Sequence, residues 1–135
     1  MNVFISHSAS DKELAQKLAT SLKGAGLKVF VDSGIGVGEN WRERVSEALA
    51  EADAMVMLIT QNWLASRNMS YDLEYALGHE AFKGRVFSVI ADARVQESRS
   101  DIPWILNRFP VFEFSGADPD EESVGEITRA LATAA

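Results

Sequence analysis

The sequence predicts a single α/β domain in which a parallel sheet of five strands carries helices on both of its faces. Five short β-rich segments alternate with segments whose apolar residues repeat at helical spacing, and this alternation is typical of parallel sheets. One segment, Ala54–Thr60, is almost entirely apolar, as expected of a central strand buried on both faces. Because 135 residues are too few for two well-packed domains, residues 1–135 are assigned to one.

The five predicted strands are short runs of β-branched, aromatic and aliphatic residues with polar or glycine-containing boundaries. The first begins directly after Met1, so we expect no signal peptide. In chain order the strands are Asn2–Ser6, Leu27–Val31, Ala54–Thr60, Arg85–Ala91 and Val111–Phe114.

Four helices are predicted between and after these strands. The first follows a possible N-cap in Ser8–Asp11 and repeats leucine at helical spacing. It ends at Gly24 and Gly26, because glycine adopts the left-handed conformation of a helix C-cap. The last helix starts in an acidic stretch, where carboxylates favour the N-terminal end of the helix dipole. The remaining segments are helices at Trp41–Ala52, Ser70–Ala81 and Glu121–Ala134, and a short irregular or helical piece from Asp101.

Composition excludes several classes of function. The formal charge is −7, from 13 basic and 20 acidic residues, and an acidic protein is a poor ligand for the phosphates of nucleic acid. The chain has no cysteine and two histidines, which excludes disulfides and thiolate sites and leaves little material for a zinc centre. No apolar run is long enough to span a membrane. We therefore expect no metal, no nucleic acid and no membrane partner.

The usual phosphate and acyl-transfer motifs are also absent. The sequence contains no Walker loop and no GxSxG elbow. Its glycine loop, Gly34 to Gly38, follows the second predicted strand, whereas a dinucleotide fingerprint follows the first. Ligands of parallel sheets bind beyond the carboxyl ends of the strands. The segments that follow those ends are residues 6–11, 32–41, 60–72 and 91–104.

Three motifs lie in these segments. FISHSASD occupies residues 4–11, a glycine loop ending at Trp41 follows VFVD at 29–32, and residues 60–77 read TQNWLASRNMSYDLEYAL. Together they resemble the Toll/interleukin-1 receptor (TIR) domain in its bacterial branch, over almost the whole chain. The resemblance implies a three-layer, flavodoxin-like TIR fold.

The resemblance implies one of two activities. Enzymatic members cleave NAD, as substrate rather than cofactor, into nicotinamide and ADP-ribose or a cyclic product. They commonly act in cytoplasmic anti-phage defence after self-assembly. Other members are non-catalytic modules that act by homotypic contacts. Members are usually joined to a sensor or effector domain, fused or separate. A nucleoside-transferring enzyme of similar topology is a third hypothesis, which the FISHSASD and Trp41 features disfavour.

The resemblance also assigns candidate site residues, several of which have a simpler structural interpretation. Ser8 could instead cap a helix, Asp32 could start a turn, and Ser66 could start a helix. Trp63 is interpreted as a core residue. The residues implied to line the NAD site are Ser6, His7, Ser8, Asp32, Gly34 and Ser66. Those implied to form a gating and assembly loop are Gly36, Gly38 and Trp41.

The family's catalytic glutamate position holds an aspartate in this chain. Enzymatic members place the glutamate six residues after a serine and four before an alanine. Counting from Ser66 to Ala76 gives Asp72, with Glu74 as the alternative. A carboxylate there would stabilise the positive charge that develops on the ribose as nicotinamide leaves, as in glycoside hydrolysis.

Helix geometry favours Asp72 over Glu74. At roughly 100° per residue, Asp72 lies roughly 85° from the centre of the apolar face, and Glu74 roughly 115° away on the other side. The two carboxylates therefore cannot both face one pocket. The residues that define this predicted apolar face are Met69, Leu73, Ala76 and Leu77.

Overall fold

The computed structural model describes residues 2–31, 47–65, 67–78, 82, 85–92, 95, 102–114 and 119–134. Within them, five strands form one fully parallel sheet in the order β2-β1-β3-β4-β5. This confirms the predicted fold class. The strands are β1 (Asn2–Ser6), β2 (Lys28–Val31), β3 (Ala54–Ile59), β4 (Val86–Ile90) and β5 (Val111–Glu113).

Burial along the strands follows their position in the sheet. All six residues of β3 are buried, and β3 pairs with β1 on one side and β4 on the other. The edge strands β2 and β5 contain no fully buried residue. The apolar run at residues 54–59 therefore correctly predicted the centre of the sheet.

Four α-helices are delimited by the described residues, and two short 3₁₀ turns lie at Ala9–Asp11 and Trp104–Arg108. Residues 47–51 are also helical, within the predicted helix Trp41–Ala52. The last predicted helix is confirmed at both ends. The four helices are α1 (Lys12–Gly24), α2 (Gln61–Leu64), α3 (Arg67–Gly78) and α4 (Glu121–Ala134).

Two predicted boundaries were wrong in ways that matter for the site. The third strand ends at Ile59, because Thr60 instead caps α2 by accepting a hydrogen bond from the backbone N–H of Trp63 at 3.1 Å. The helix predicted at Ser70–Ala81 begins earlier, at Arg67. Gly26 has φ +95° after α1, as the C-cap prediction required.

Each face of the sheet is covered by its own apolar core. The first core lies between the sheet, α1 and α4, and the second lies on the opposite face against α3 and residues 47–51. Buried members of the first core include Val3, Ile5, Ala15, Leu18, Leu22, Val56, Leu58, Val89, Ile127 and Leu131. Buried members of the second include Phe4, Leu49, Met55, Met57, Ile59, Trp63, Ala76, Phe82 and Leu106.

The strand order creates one point at which the chain reverses its direction across the sheet. From β1 the chain moves to β2 on one side and then crosses to β3 on the other. Beyond the carboxyl ends of β1 and β3, the connections leave in opposite directions and open a crevice, where ligands of such sheets bind. Ser6 and Thr60 mark those two ends.

Candidate active site

The carboxylate of Asp72 lies at this crevice, against the end of β1. The Ser6 hydroxyl donates a hydrogen bond to Asp72 Oδ2 at 2.5 Å, across 66 positions of sequence. Both side chains are buried, Ser6 with 1% and Asp72 with 5% of its surface exposed. The distance is typical of a hydroxyl that donates to a carboxylate. Strand β1 and helix α3 therefore jointly fix the position of this carboxylate.

A third side chain completes this group from α2. The indole Nε1–H of Trp63 donates to Ser6 Oγ at 2.9 Å. Trp63 is fully buried in the second core, as predicted, but no pattern in the sequence indicated its polar contact. Trp63, Ser6 and Asp72 form a linear series of hydrogen bonds that we call the Trp63–Ser6–Asp72 relay.

A second group of hydrogen bonds lies beside the relay, around Asp11. Asp11 Oδ2 accepts from Ser8 Oγ at 2.7 Å and from Thr60 Oγ1 at 2.5 Å. Thr60 Oγ1 in turn accepts the backbone N–H of Trp63. Trp63 thus contacts both groups, one through its backbone and the other through its side chain.

Helix α3 is rotated relative to the apolar face that its sequence predicts. Asp72 and Ala76 are its buried residues among those whose side chains are described, whereas Leu77 is 47% exposed. At roughly 100° per residue, the buried face is centred between Asp72 and Ala76, roughly 65° from the predicted centre. The prediction that Leu77 faces the core was therefore wrong. The Ser6 bond to Asp72 supplies the physical reason, because it holds the polar position of the helix against β1.

The same rotation separates the two candidate carboxylates. Glu74 is exposed and lies roughly 180° from the centre of the buried face. Glu74 is thus turned away from Ser6, whereas Asp72 contacts Ser6. Of the two candidates, Asp72 is the one at the crevice.

His7 and Ser8 are both buried where β1 ends. His7 Nδ1 lies 2.7 Å from the carbonyl oxygen of Ser8 and donates to it, since a carbonyl oxygen only accepts. Ser8 makes no side-chain capping bond. Ser8 occupies the N-cap position of the turn Ala9–Asp11, as the capping interpretation expected, but its hydroxyl donates to Asp11 Oδ2 instead of capping the turn.

Three residues of this region were missed by the sequence interpretation. Asp11 and Thr60 form the second group of hydrogen bonds, and Asp92 Oδ2 accepts the backbone N–H of Gln61 at 3.1 Å after β4. A usable signal was present, because Asp11, Thr60 and Asp92 lie in the segments 6–11, 60–72 and 91–104 at the carboxyl ends of the predicted strands.

Six predicted site residues lie outside the described residues, so their predicted roles stay predictions. They are Asp32, Gly34, Gly36, Gly38, Trp41 and Ser66.

A cavity of about 500 Å³ lies elsewhere, between the first residues of β1 and β2 and residues 47–51. Its lining includes Asn2, Lys28 and Glu51, which places it at the amino end of the sheet. Among the described residues, no helix is long and apolar enough to cross a membrane. Nor does any group of three or more described His, Asp or Glu residues approach the geometry of a metal site.

The site offers carboxylate chemistry at a largely buried position. A fixed carboxylate stabilises positive charge that develops on a bound substrate, and it does so more strongly where water is excluded. A carboxylate that has to be reoriented during the reaction stabilises the positive charge less strongly. The relay already holds Asp72 in position before the reaction begins.

The sequence profile of the family described as "TIR domain" matches residues 3–129 of the chain. Among curated proteins, the chain is 24% identical over 98 residues to the "Probable 2' cyclic ADP-D-ribose synthase TcpO" of Methanobrevibacter olleyae. That alignment covers 71% of this chain but only 29% of the relative. Among solved structures, the TIR domain of the Toll-related receptor TRR-2 from Hydra magnipapillata aligns with a TM-score of 0.68 at 17% identity. That alignment covers 97% of this chain and 94% of the receptor domain.

Proposed function

Because the chain belongs to the TIR domain family, as the match over residues 3–129 establishes, we propose that it cleaves NAD at the bond between nicotinamide and ribose. The name of the M. olleyae relative supports this activity at the level of the family, although the chain spans only 29% of that protein. The observation that carries the proposal is the buried Asp72 carboxylate at the β1/β3 crevice, in the register of the family's catalytic glutamate.

The proposed reaction breaks one bond and forms one. The bonding pair of the C–N bond leaves with the nicotinamide nitrogen, which neutralises the positive charge of the pyridinium ring. The ribose carbon becomes an oxocarbenium-like centre. A water oxygen attacks that carbon to give ADP-ribose, or a hydroxyl of the same molecule attacks it to give a cyclic ADP-ribose. In either case the attacking oxygen then loses its proton to the solvent.

In this reaction the Asp72 carboxylate is the group that faces the positive charge on the ribose. Its carboxylate stabilises the oxocarbenium-like centre electrostatically and accepts hydrogen bonds from ribose hydroxyls. Aspartate is one methylene shorter than the family's glutamate, so the ribose must approach helix α3 more closely. Misplacement by about 1 Å lowers a rate by about 100-fold, and the Asp72 side chain is therefore expected to be poorly interchangeable with glutamate.

A second candidate function is supported by the same contact. Asp72 is 5% exposed and bound to Ser6 at 2.5 Å, and a carboxylate held in this way can also serve only to join α3 to the sheet. In that case the chain is a non-catalytic module that acts by homotypic assembly. The module would bind copies of itself without turnover.

The experiment that separates the two follows nicotinamide release from NAD over a series of protein concentrations, with sedimentation of the same samples. We expect each protein molecule to release many molecules of nicotinamide. Where assembly activates the site, the rate of release should rise more steeply than in proportion to the protein concentration. Assembly without any nicotinamide release, at every concentration, would refute the enzymatic proposal and support the module. Chromatography of the product then distinguishes ADP-ribose from a cyclic isomer.

The remaining parts of the proposal extend from the family. They are anti-phage defence signalling in the cytoplasm, self-association through TIR–TIR contacts, and a fused or separate sensor or effector domain. Each stays a prediction for this chain.

A further inference from the structure

Among the described residues, Trp63 donates one hydrogen bond to each of the two groups of the candidate site. Its backbone N–H donates to Thr60 Oγ1 at 3.1 Å, and its indole Nε1–H donates to Ser6 Oγ at 2.9 Å. The residue is fully buried, so it does not itself meet a substrate. The groups to which it donates connect it to the site.

The donor at Nε1 determines the direction of the Ser6 hydroxyl. An indole nitrogen is a donor only, so Ser6 Oγ is the acceptor of that bond. The single hydroxyl proton of Ser6 is then directed to its other partner, Asp72 Oδ2 at 2.5 Å. A serine hydroxyl without such a donor rotates between acceptors, whereas this one is committed to the carboxylate.

The position of Trp63 is itself fixed by the second group of hydrogen bonds. Thr60 caps α2 and donates to Asp11 at 2.5 Å. Helix α2 contains only four residues, too few to be stable without its cap and its packing. The cap and the buried indole ring thus place the Nε1–H group within hydrogen-bond distance of Ser6 on β1.

We propose that Trp63 is a positioning residue for the proposed NAD cleavage, acting through the Ser6 hydroxyl to hold the Asp72 carboxylate. This inference rests on the proposed function and adds a residue to its machinery. It gives a role to a side chain that its full burial would otherwise assign to the core alone. It also explains how an aspartate, with one methylene fewer than glutamate, is held at a defined place in the crevice.

The first test is a cycle of variants in steady-state NAD cleavage: Trp63→Phe, Ser6→Ala and the double variant. Trp63→Phe keeps an aromatic ring and removes the N–H donor. We expect it to lower kcat by about 3- to 10-fold with KM unchanged, as the loss of one neutral hydrogen bond implies. Ser6→Ala should lower kcat by about 10- to 100-fold, because its bond is to a charged group.

The double variant carries the decisive comparison. If Trp63 acts through Ser6, then Trp63→Phe has no further effect on kcat once Ser6 is alanine. An equal drop in both backgrounds would overturn the inference and make Trp63 a packing residue. Leu106→Val is the matched control, because it opens a small cavity in the same core at a fully buried residue. Its kcat should stay within about 2-fold of the wild type.

A second measurement is independent of turnover. In the ¹⁵N–¹H spectrum, the indole N–H signal of Trp63, assigned by its loss in Trp63→Phe, should move upfield in Ser6→Ala and stay in place in Glu74→Gln. An unchanged signal in Ser6→Ala would overturn the relay whatever the activity. A wild type without turnover would instead refute the proposed function, and with it the catalytic role of the relay. An active wild type with an unaffected Trp63→Phe variant would refute this inference alone.

Discussion

The two sides of the sheet differ in the side chains that cover them. The first core lies under α1 and α4 and consists of aliphatic and aromatic side chains. Beside it, the hydroxyl of the buried Ser123 is bonded to Asp120 at 2.7 Å and to the carbonyl oxygen of Glu113 at 3.2 Å. The second side contains the relay, the buried hydroxyl of Ser88 and the exposed ring of Trp104.

The difference indicates that the first side mainly stabilises the fold, whereas the second side carries the candidate site. The first core supplies stability by apolar burial, and its helices are regular over 13 and 14 residues. The second side includes the four-residue α2 and a helix, α3, whose apolar Leu77 is exposed while its Asp72 is buried. Such a local departure from the apolar pattern is expected at functional sites.

The largest effect on stability is expected from the first core. Leu18 is fully buried between α1 and the sheet, so Leu18→Ala should lower the free energy of unfolding by about 2–5 kcal/mol. Urea unfolding followed by circular dichroism measures it. The matched control is Leu77→Ala on α3, at a 47% exposed residue, which should cost less than about 1 kcal/mol. Equal losses at the two positions would contradict the assigned rotation of α3.

A smaller effect is expected where the second side depends on polar contacts. Thr60→Val keeps the shape of the side chain but removes the cap of α2 and the donor to Asp11. We expect a loss of about 1–2 kcal/mol in the same unfolding experiment. Thr20→Val, at an exposed residue of α1, should stay within about 0.5 kcal/mol. A Thr60→Val variant as stable as its control would mean that these bonds contribute nothing net.

The smallest effects on the free energy of unfolding are expected at two buried serines, Ser88 and Ser123. Ser88 Oγ on β4 is fully buried and, among the described residues, has no hydrogen-bond partner. Ser88→Ala should therefore raise the free energy of unfolding by about 0.5–1 kcal/mol, because a buried hydroxyl without a partner is destabilising.

Ser123→Ala provides the contrast on the first side, since its hydroxyl is bonded to Asp120 and Glu113. It should lower the free energy of unfolding by about 1 kcal/mol. Changes of the same sign in the two serine variants would remove this distinction between the sides.

The sequence predicted the first side better than the second for a physical reason. Apolar periodicity defines β3 and α4, because burial of one face leaves a regular pattern in the residues. The contacts from Ser6 to Asp72 and from Thr60 to Asp11 join residues 66 and 49 positions apart. Single polar pairs of this kind leave no periodic signal. Periodicity even misplaced the buried face of α3, since Leu77 fits the apolar pattern and Asp72 does not.

Helix geometry and the count from Ser66 favoured Asp72 over Glu74, and in the structure Asp72 is bonded to Ser6 while Glu74 is exposed. The catalytic role of that carboxylate stays a prediction. Its most direct test compares nicotinamide release from NAD by the wild type, Asp72→Asn and Glu74→Gln at equal, high protein concentration.

Asparagine keeps the size of the side chain and an oxygen that accepts the Ser6 bond, but it removes the charge. We predict that Asp72→Asn lowers nicotinamide release by about 100-fold or more, because the charge on the ribose is no longer stabilised. Glu74→Gln should leave the rate within about 2-fold, since Glu74 is exposed and turned away from Ser6. Undiminished release by Asp72→Asn, with or without loss in Glu74→Gln, would contradict the assignment of the active site to the β1/β3 crevice.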